Sequence, residues 1–298
     1  MFKKVLKWVL AVLGGLVGLL VLAFIVFYLV GTAKINKKYR VPVETISIPT
    51  DPEAIQRGEH LATIHICTRC HTESLSGELY FVAPGLVSIP SPNLTSGIGG
   101  VGRFYTDEDW VRAIRHDIGH DGRALFFMPS NAYYYMSDED LGALIAYIKS
   151  LPPVDKELPG KRIEPIGRLM MALGMFPPLP VEQIDHIKRP PAGPKPGVTI
   201  AYGEYLARTC KECHGEKFNG KPFGPPGQEV PTPNLTPGGD LGSWSEQDFF
   251  NTLRTGTTPS GRLLRDDMPW KYFGKMSDDE LKALWMYLQS LPALEQGG

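Results

Sequence analysis

Two five-residue stretches carry most of the chemistry in this sequence: Cys67-Thr68-Arg69-Cys70-His71 and Cys210-Lys211-Glu212-Cys213-His214. Together they use all four cysteines of the 298-residue chain. A Cys-X-X-Cys pair can close a disulfide, form one corner of a zinc site or act as a redox dithiol. A disulfide gives the following histidine no task. A dithiol oxidoreductase sets its motif in a βαβ pattern, and the flanking residues show none. Zinc wants four ligands, yet the motifs lie 143 residues apart and neither has a second cysteine pair beside it. Covalent haem accounts for every position. The two thiols add to the two vinyl groups, the two-residue gap matches the vinyl separation, and the histidine is carried beneath the iron. The expectation is therefore two covalently bound haem c groups, one on Cys67 and Cys70 with His71 as proximal ligand, one on Cys210 and Cys213 with His214.

A sixth ligand must come from the far side of each ring. Met128 and Met268 stand at matching distances from the motifs, 57 residues after His71 and 54 after His214, and each precedes a proline. A thioether is soft and neutral, so it favours ferrous iron and raises the potential. Met136 and Met276 are also matched, but they come just before a helix cap and read as packing residues. His116 and His120 have no counterparts near Met268 and read as surface residues, as do His60, His65 and His186. Arg115 and Arg254 are open between facing haem propionates and standing as solvated helix residues. Asn93-Leu94-Thr95 and Asn234-Leu235-Thr236 match a glycosylation sequon, a weak signal; their repetition suggests a shared loop along the haem edge. Tyr147 and Tyr287 are expected to pack on Gly58 and Gly203 where two helices cross.

The elements that must position these groups come as an internal repeat. "RGEHLATIHICTRCH" is answered by "YGEYLARTCKECH", "SPNLTSG" by "TPNLTPG", "DGRALFFMPS" by "SGRLLRDDMPW", and "MSDEDLGALIAYIKSLPPV" by "MSDDELKALWMYLQSLPAL". Residues 51–153 and 199–298 are thus two copies of one domain of about 100 residues. Each copy is expected to hold three helices and no convincing strand. The second helix starts at Thr106 or Ser245, with Asp109 or Asp248 three residues on; the third starts at Ser137 or Ser277, with Asp140 or Glu280. So small a helical domain has a thin core and needs a group to fold around. A proline-rich strap, 154–198, joins the copies, with "GRLMMALGMF" able to make two or three helical turns. Upstream, residues 1–33 form a transmembrane anchor: Trp8–Val30 carries no charge and is long enough to cross a bilayer. Gly14 and Gly18 give it a GxxxG face. Residues 34–50 are a spacer expected to lift the first copy off the membrane. A net charge of −1 with no basic stripe speaks against nucleic-acid binding.

The run of motifs resembles class I c-type cytochromes. More narrowly, it is similar to the haem domains in cytochrome subunits of bacterial membrane-bound dehydrogenases for alcohols, aldehydes and sugar acids. Those subunits usually carry three haem domains; this sequence shows two behind an apolar N-terminal segment. The resemblance implies a mostly α fold, His71 with Met128 and His214 with Met268 as axial pairs, and haem attachment outside the cytoplasm. It places the domains on the periplasmic side of the inner membrane. Two six-coordinate haems leave no open iron, so the expectation is an electron carrier rather than an enzyme. It would relay single electrons between a respiratory or photosynthetic donor and acceptor, with a dehydrogenase, an oxidase or another membrane complex as redox partner. The alternatives are a di-haem peroxidase, in which one iron must open, or a cytochrome subunit of a dehydrogenase or terminal-oxidase complex.

Overall fold

A computed structural model describes residues 2–224 and 227–297. The uncharged N-terminal run forms helix α1 (Phe2–Ile35), long and apolar enough to cross a membrane and exposed along nearly its whole length. Among the described residues, none outside α1 comes within 4 Å of a Cβ placed on Gly14, Gly15 or Gly18.

The first copy runs α2 (Pro52–Ile64), α3 (Cys67–His71), β1 (Glu78–Ala83), β2 (Val87–Ser91), α4 (Asp107–His116), α5 (Ser130–Tyr133) and α6 (Asp138–Ser150). The strap contributes β3 (Arg162–Ile163), α7 (Pro165–Ala172) and α8 (Pro180–Gln183). The second copy repeats the plan with α9 (Ile200–Ala207), α10 (Lys211–His214), β4 (Pro222–Phe223), β5 (Val230–Pro231), α11 (Glu246–Thr255), α12 (Trp270–Phe273) and α13 (Asp278–Ser290). The chain is mostly helical, as expected.

Local chemistry sets the helix starts. Thr106 and Asp109 form a complete capping box on α4, as Ser245 and Asp248 do on α11. In each copy the first helix crosses the last at a glycine. A Cβ on Gly58 would run into the Ala143 carbonyl and the Tyr147 Cβ; one on Gly203 would meet Ala283 and Tyr287 in the same way. Only glycine lets these backbones approach so closely, and the expected tyrosine partners are the ones found.

Three findings differ from the sequence reading. Strands are present: β1 and β2 form an antiparallel hairpin, and the strap's β3 adds to its edge. β1 shows no alternation because nearly all its residues are exposed, whereas β2 buries Val87, Ile89 and Ser91. Residues 36–50 do not stand between membrane and domain as a free spacer. Val43, Ile46 and Ile48 pack on the first copy's core, and the Tyr39 amide donates to the Gly122 carbonyl at 2.9 Å. Third, the cores of the two copies meet, since Leu61, Ile64 and Ala143 join the cluster built on Tyr202, Leu206 and Leu284.

Candidate functional site

Each copy builds a cavity that the sequence-selected residues line. In the first copy Cys67, Cys70, His71 and Met128 surround a cavity of about 570 Å³, with Leu94, Trp110, Ile114, Tyr133, Leu144 and Ile148 among its walls. In the second, Cys210, Cys213, His214 and Met268 surround about 190 Å³, with Leu235, Trp244, Phe249, Leu253, Leu284 and Leu288. Packed interiors rarely keep voids much larger than a water molecule, so two apolar cavities of this size are sites for bound apolar groups.

The histidines are oriented by a device the sequence reading missed. His71 Nδ1 lies 2.9 Å from the Pro92 carbonyl oxygen, and His214 Nδ1 lies 2.8 Å from that of Pro233. A carbonyl only accepts, so Nδ1 donates and Nε2 keeps its lone pair for a metal. Burial lowers the pKa of both histidines, favouring the neutral form that a metal binds. The signal was in the repeat: each proline precedes the Asn-Leu-Thr triplet. Asn93 and Asn234 hold these loops in place. Each side-chain oxygen accepts from the amide and hydroxyl of the threonine two residues on, and each side-chain NH₂ donates at 2.7 Å to a carbonyl after the last helix, Val154 or Leu294. Both asparagines are buried, so these triplets are structural loops rather than glycan acceptors.

The thiols have the wrong character for a nucleophilic dithiol. Burial pushes Cys67 and Cys210 up to about 12, whereas reactive pairs have lowered values. No metal-binding cluster of three or more His, Cys, Asp or Glu residues occurs among the described residues. The donor set therefore fits haem: two thiols, a pre-oriented neutral imidazole and a methionine all line one largely apolar cavity.

Several side chains sit elsewhere than expected. Arg115 is neither solvated nor at the cavity. It is 0% exposed, and it donates to Asp138 Oδ1 at 2.9 Å and to the Met136 carbonyl at 2.8 Å. Arg254 likewise reaches the Gly274 carbonyl and Asp278. Both arginines brace the second helix against the start of the third. The cationic groups that do line the cavities are Arg123 and Lys161 in the first copy, Arg262 and Arg265 in the second. Arg123 and Arg262 occupy matching places in "DGR" and "SGR", each just after a glycine with positive φ that closes a small bridged turn. They suit the carboxylates that a haem carries. His116 is fully buried against Glu44 and His186, and His65 is buried at the cavity beside Tyr133, so neither is a surface residue. His120 is half-exposed, lines the same cavity and bonds Asp109 at 2.9 Å. His60 is tied to Glu280 of the second copy at 2.7 Å. Met136 and Met276 are buried with Leu141 and Leu281 as expected of packing residues, and they also reach the cavities.

The two cysteine segments meet the neighbouring copy. Arg69 donates to the carbonyls of Asp266 and Asp267, just before Met268, at 3.2 and 3.3 Å. In return Asn131, just after Met128, donates to Glu212 at 2.7 Å.

Comparison with known proteins gives the same answer from another direction. The cytochrome c family matches residues 55–152 and 200–292. The chain is 29% identical over 292 residues to the fructose dehydrogenase cytochrome subunit of Gluconobacter japonicus, covering 86% of this chain and 56% of that protein. It is 31% identical over 280 residues to the alcohol dehydrogenase (quinone) cytochrome c subunit of Gluconacetobacter polyoxogenes, covering 81% and 57%. A diheme cytochrome c-type protein of Cereibacter sphaeroides is 26% identical over 289 residues, with 84% of this chain and 93% of that protein covered. The chain thus spans little more than half the length of the dehydrogenase subunits and nearly the full length of the diheme protein. It belongs to the cytochrome c family, an electron-transfer family, with one haem c bound covalently in each of the two matched regions.

Proposed function

We propose that this chain is a membrane-anchored electron carrier whose haem domains lie on the periplasmic side and relay single electrons to or from a membrane-bound dehydrogenase. Haem iron supplies the one-electron couple. The protein attaches it through Cys67 and Cys70 in the first copy and Cys210 and Cys213 in the second. His71 with Met128, and His214 with Met268, would be the protein ligands of the two irons.

The observation that carries this reading is the matched pair of histidine–proline hydrogen bonds, each at a cavity that a methionine also lines. Both copies keep both candidate ligands, which would leave neither iron open for a substrate. The contacts of Arg69 with residues 266–267, and of Asn131 with Glu212, support passage between the haems, because both attachment segments lie on one shared interface. α1 supports the anchor, and the named dehydrogenase subunits among its relatives support the partner class.

Carbon monoxide tests this directly. Ferrous full-length protein in detergent should bind it poorly and consume peroxide slowly. Ready carbon monoxide binding together with enzymatic peroxide turnover would mean an open iron, and a peroxidase would replace the carrier.

A further inference from the structure

We infer that the strap makes a second membrane contact: α7 and the turn after it lie in the outer lipid interface, beside the end of α1. This rests on reading α1 as a membrane span.

The geometry fixes the height of α7. A Cβ on Gly31 would run into the Arg168 backbone, so the two helices touch there. Arg168 donates to the Thr32 hydroxyl at 2.9 Å and lies over the Tyr28 ring, and Lys34 donates to the Met171 carbonyl at 3.2 Å. α7 is therefore docked on residues 28–35 of α1. The uncharged run Trp8–Val30 is about 35 Å long at roughly 1.5 Å per residue, against a hydrocarbon core of about 30 Å. Its last turn, with Tyr28, falls at the headgroup boundary where aromatic anchors collect.

The surface of this segment matches that height. From Ile166 to Phe176 the only charge is Arg168, and it is turned inward onto Thr32 and the Ile163 carbonyl. Ile166, Leu173 and Met175 are 54%, 51% and 54% exposed, in a segment docked on the end of the exposed, apolar α1. Lys34 stands in the last turn of α1, Lys37, Lys38 and Arg40 follow it, and Arg162 precedes α7; Glu182 pairs with Lys37 and Glu164 with Arg162, which leaves a net positive collar for anionic headgroups. The occupant is lipid: exposed apolar side chains beside the end of a span, flanked by net positive charge, are the pattern of an interfacial helix.

All four native cysteines are taken by haem, so one added cysteine gives a single spin-label site. Full-length holoprotein carrying Ile166→Cys, Leu173→Cys or Met175→Cys is labelled with a nitroxide and reconstituted into vesicles of phosphatidylcholine and phosphatidylglycerol. The ratio of accessibility to oxygen over accessibility to a water-soluble nickel chelate reports depth. Leu20→Cys serves as the buried reference and Leu263→Cys as the aqueous one. The three strap labels should give ratios several-fold above Leu263 and below Leu20. Strap ratios equal to that of Leu263, with Leu20 still lipid-like, would put α7 in water and overturn the inference while the span stands. An aqueous ratio at Leu20 would remove the span and this contact together.

Discussion

The Tyr205 hydroxyl of the second copy lies 2.8 Å from Asp140 Oδ2 of the first, and it also accepts the Ser137 amide at 3.0 Å. In the second copy the matching amide, Ser277, is capped within its own helix by Glu280. Asp140 is turned away toward Arg57 and Tyr205, so a residue from the other copy completes its cap. The repeat-related contact runs the other way, from His60 to Glu280 at 2.7 Å. His60 and Tyr205 both stand two residues after their crossing glycine, so the copies clasp each other about a pseudo-twofold axis.

Removing the Tyr205 hydroxyl should weaken this clasp. Tyr205→Phe strips the buried Ser137 amide of its acceptor and costs about 2 kcal/mol. Calorimetry should then show a lower midpoint and a shoulder as the domains begin to unfold separately. An unchanged single transition would mean the bond is incidental.

The crossing glycines should tolerate no side chain. Gly58→Ala must push α2 off the Ala143 backbone, at a cost of about 3 kcal/mol. Because α2 leads into α3, that variant should lose haem from the first domain and keep it in the second. Gly203→Ala should do the reverse. Haem content by pyridine haemochrome against protein mass checks both; full retention in either variant contradicts the packing argument.

Asp117 should make stability depend on pH. It sits in the left-handed conformation at the end of α4, where the second copy has Gly256, and it accepts the strap's Val181 amide at 3.2 Å. Burial raises its pKa to about 7, against the pull of Lys161, with Tyr39 also nearby. The unfolded chain gives up this proton near pH 4. The contribution of Asp117 to stability is therefore full below about pH 4, falls as the pH climbs to about 7 and is flat above, a loss of about 2–4 kcal/mol. Lys161, lowered by burial to about 8, acts in the opposite sense and only above that pH. Asp117→Asn keeps an acceptor for Val181 and should flatten the slope relative to the native protein. Equal slopes in denaturant midpoints from pH 4 to 7.5 would sink the assignment.

Much of this arrangement was legible because the chain states it twice. The repeat fixed the cysteine segments, the cavity methionines, the capping boxes of α4 and α11, and the glycine–tyrosine crossings, all of which depend on residues close in sequence or matched between copies. What escaped depends on partners distant in the sequence, several of them in the spacer or the strap. Arg115 and His116 are buried because Glu44, some 70 residues earlier, folds back over α4. The β1–β2 hairpin lacked a period to read, since β1 is exposed and its sheet is extended by the strap. The proline carbonyls that orient the histidines are backbone groups; the repeat marks the Pro-Asn-Leu-Thr loops that carry them, but not which atom meets the imidazole.

The central claim is that each iron is held by one histidine and one methionine, and the far-red spectrum of the ferric protein tests it most directly. Iron–thioether coordination gives a weak band there, and the native protein should show the intensity of two such haems. Met128→His should remove about half of it and lower one potential, because imidazole donates more to ferric iron than thioether does. Met268→His should do the same to the other haem. Met136→Leu, which changes the methionine that packs beside Leu141 at the same cavity, should leave the band whole. A native protein with half the band or none, or one whose band disappears with Met136 rather than Met128, would contradict the account.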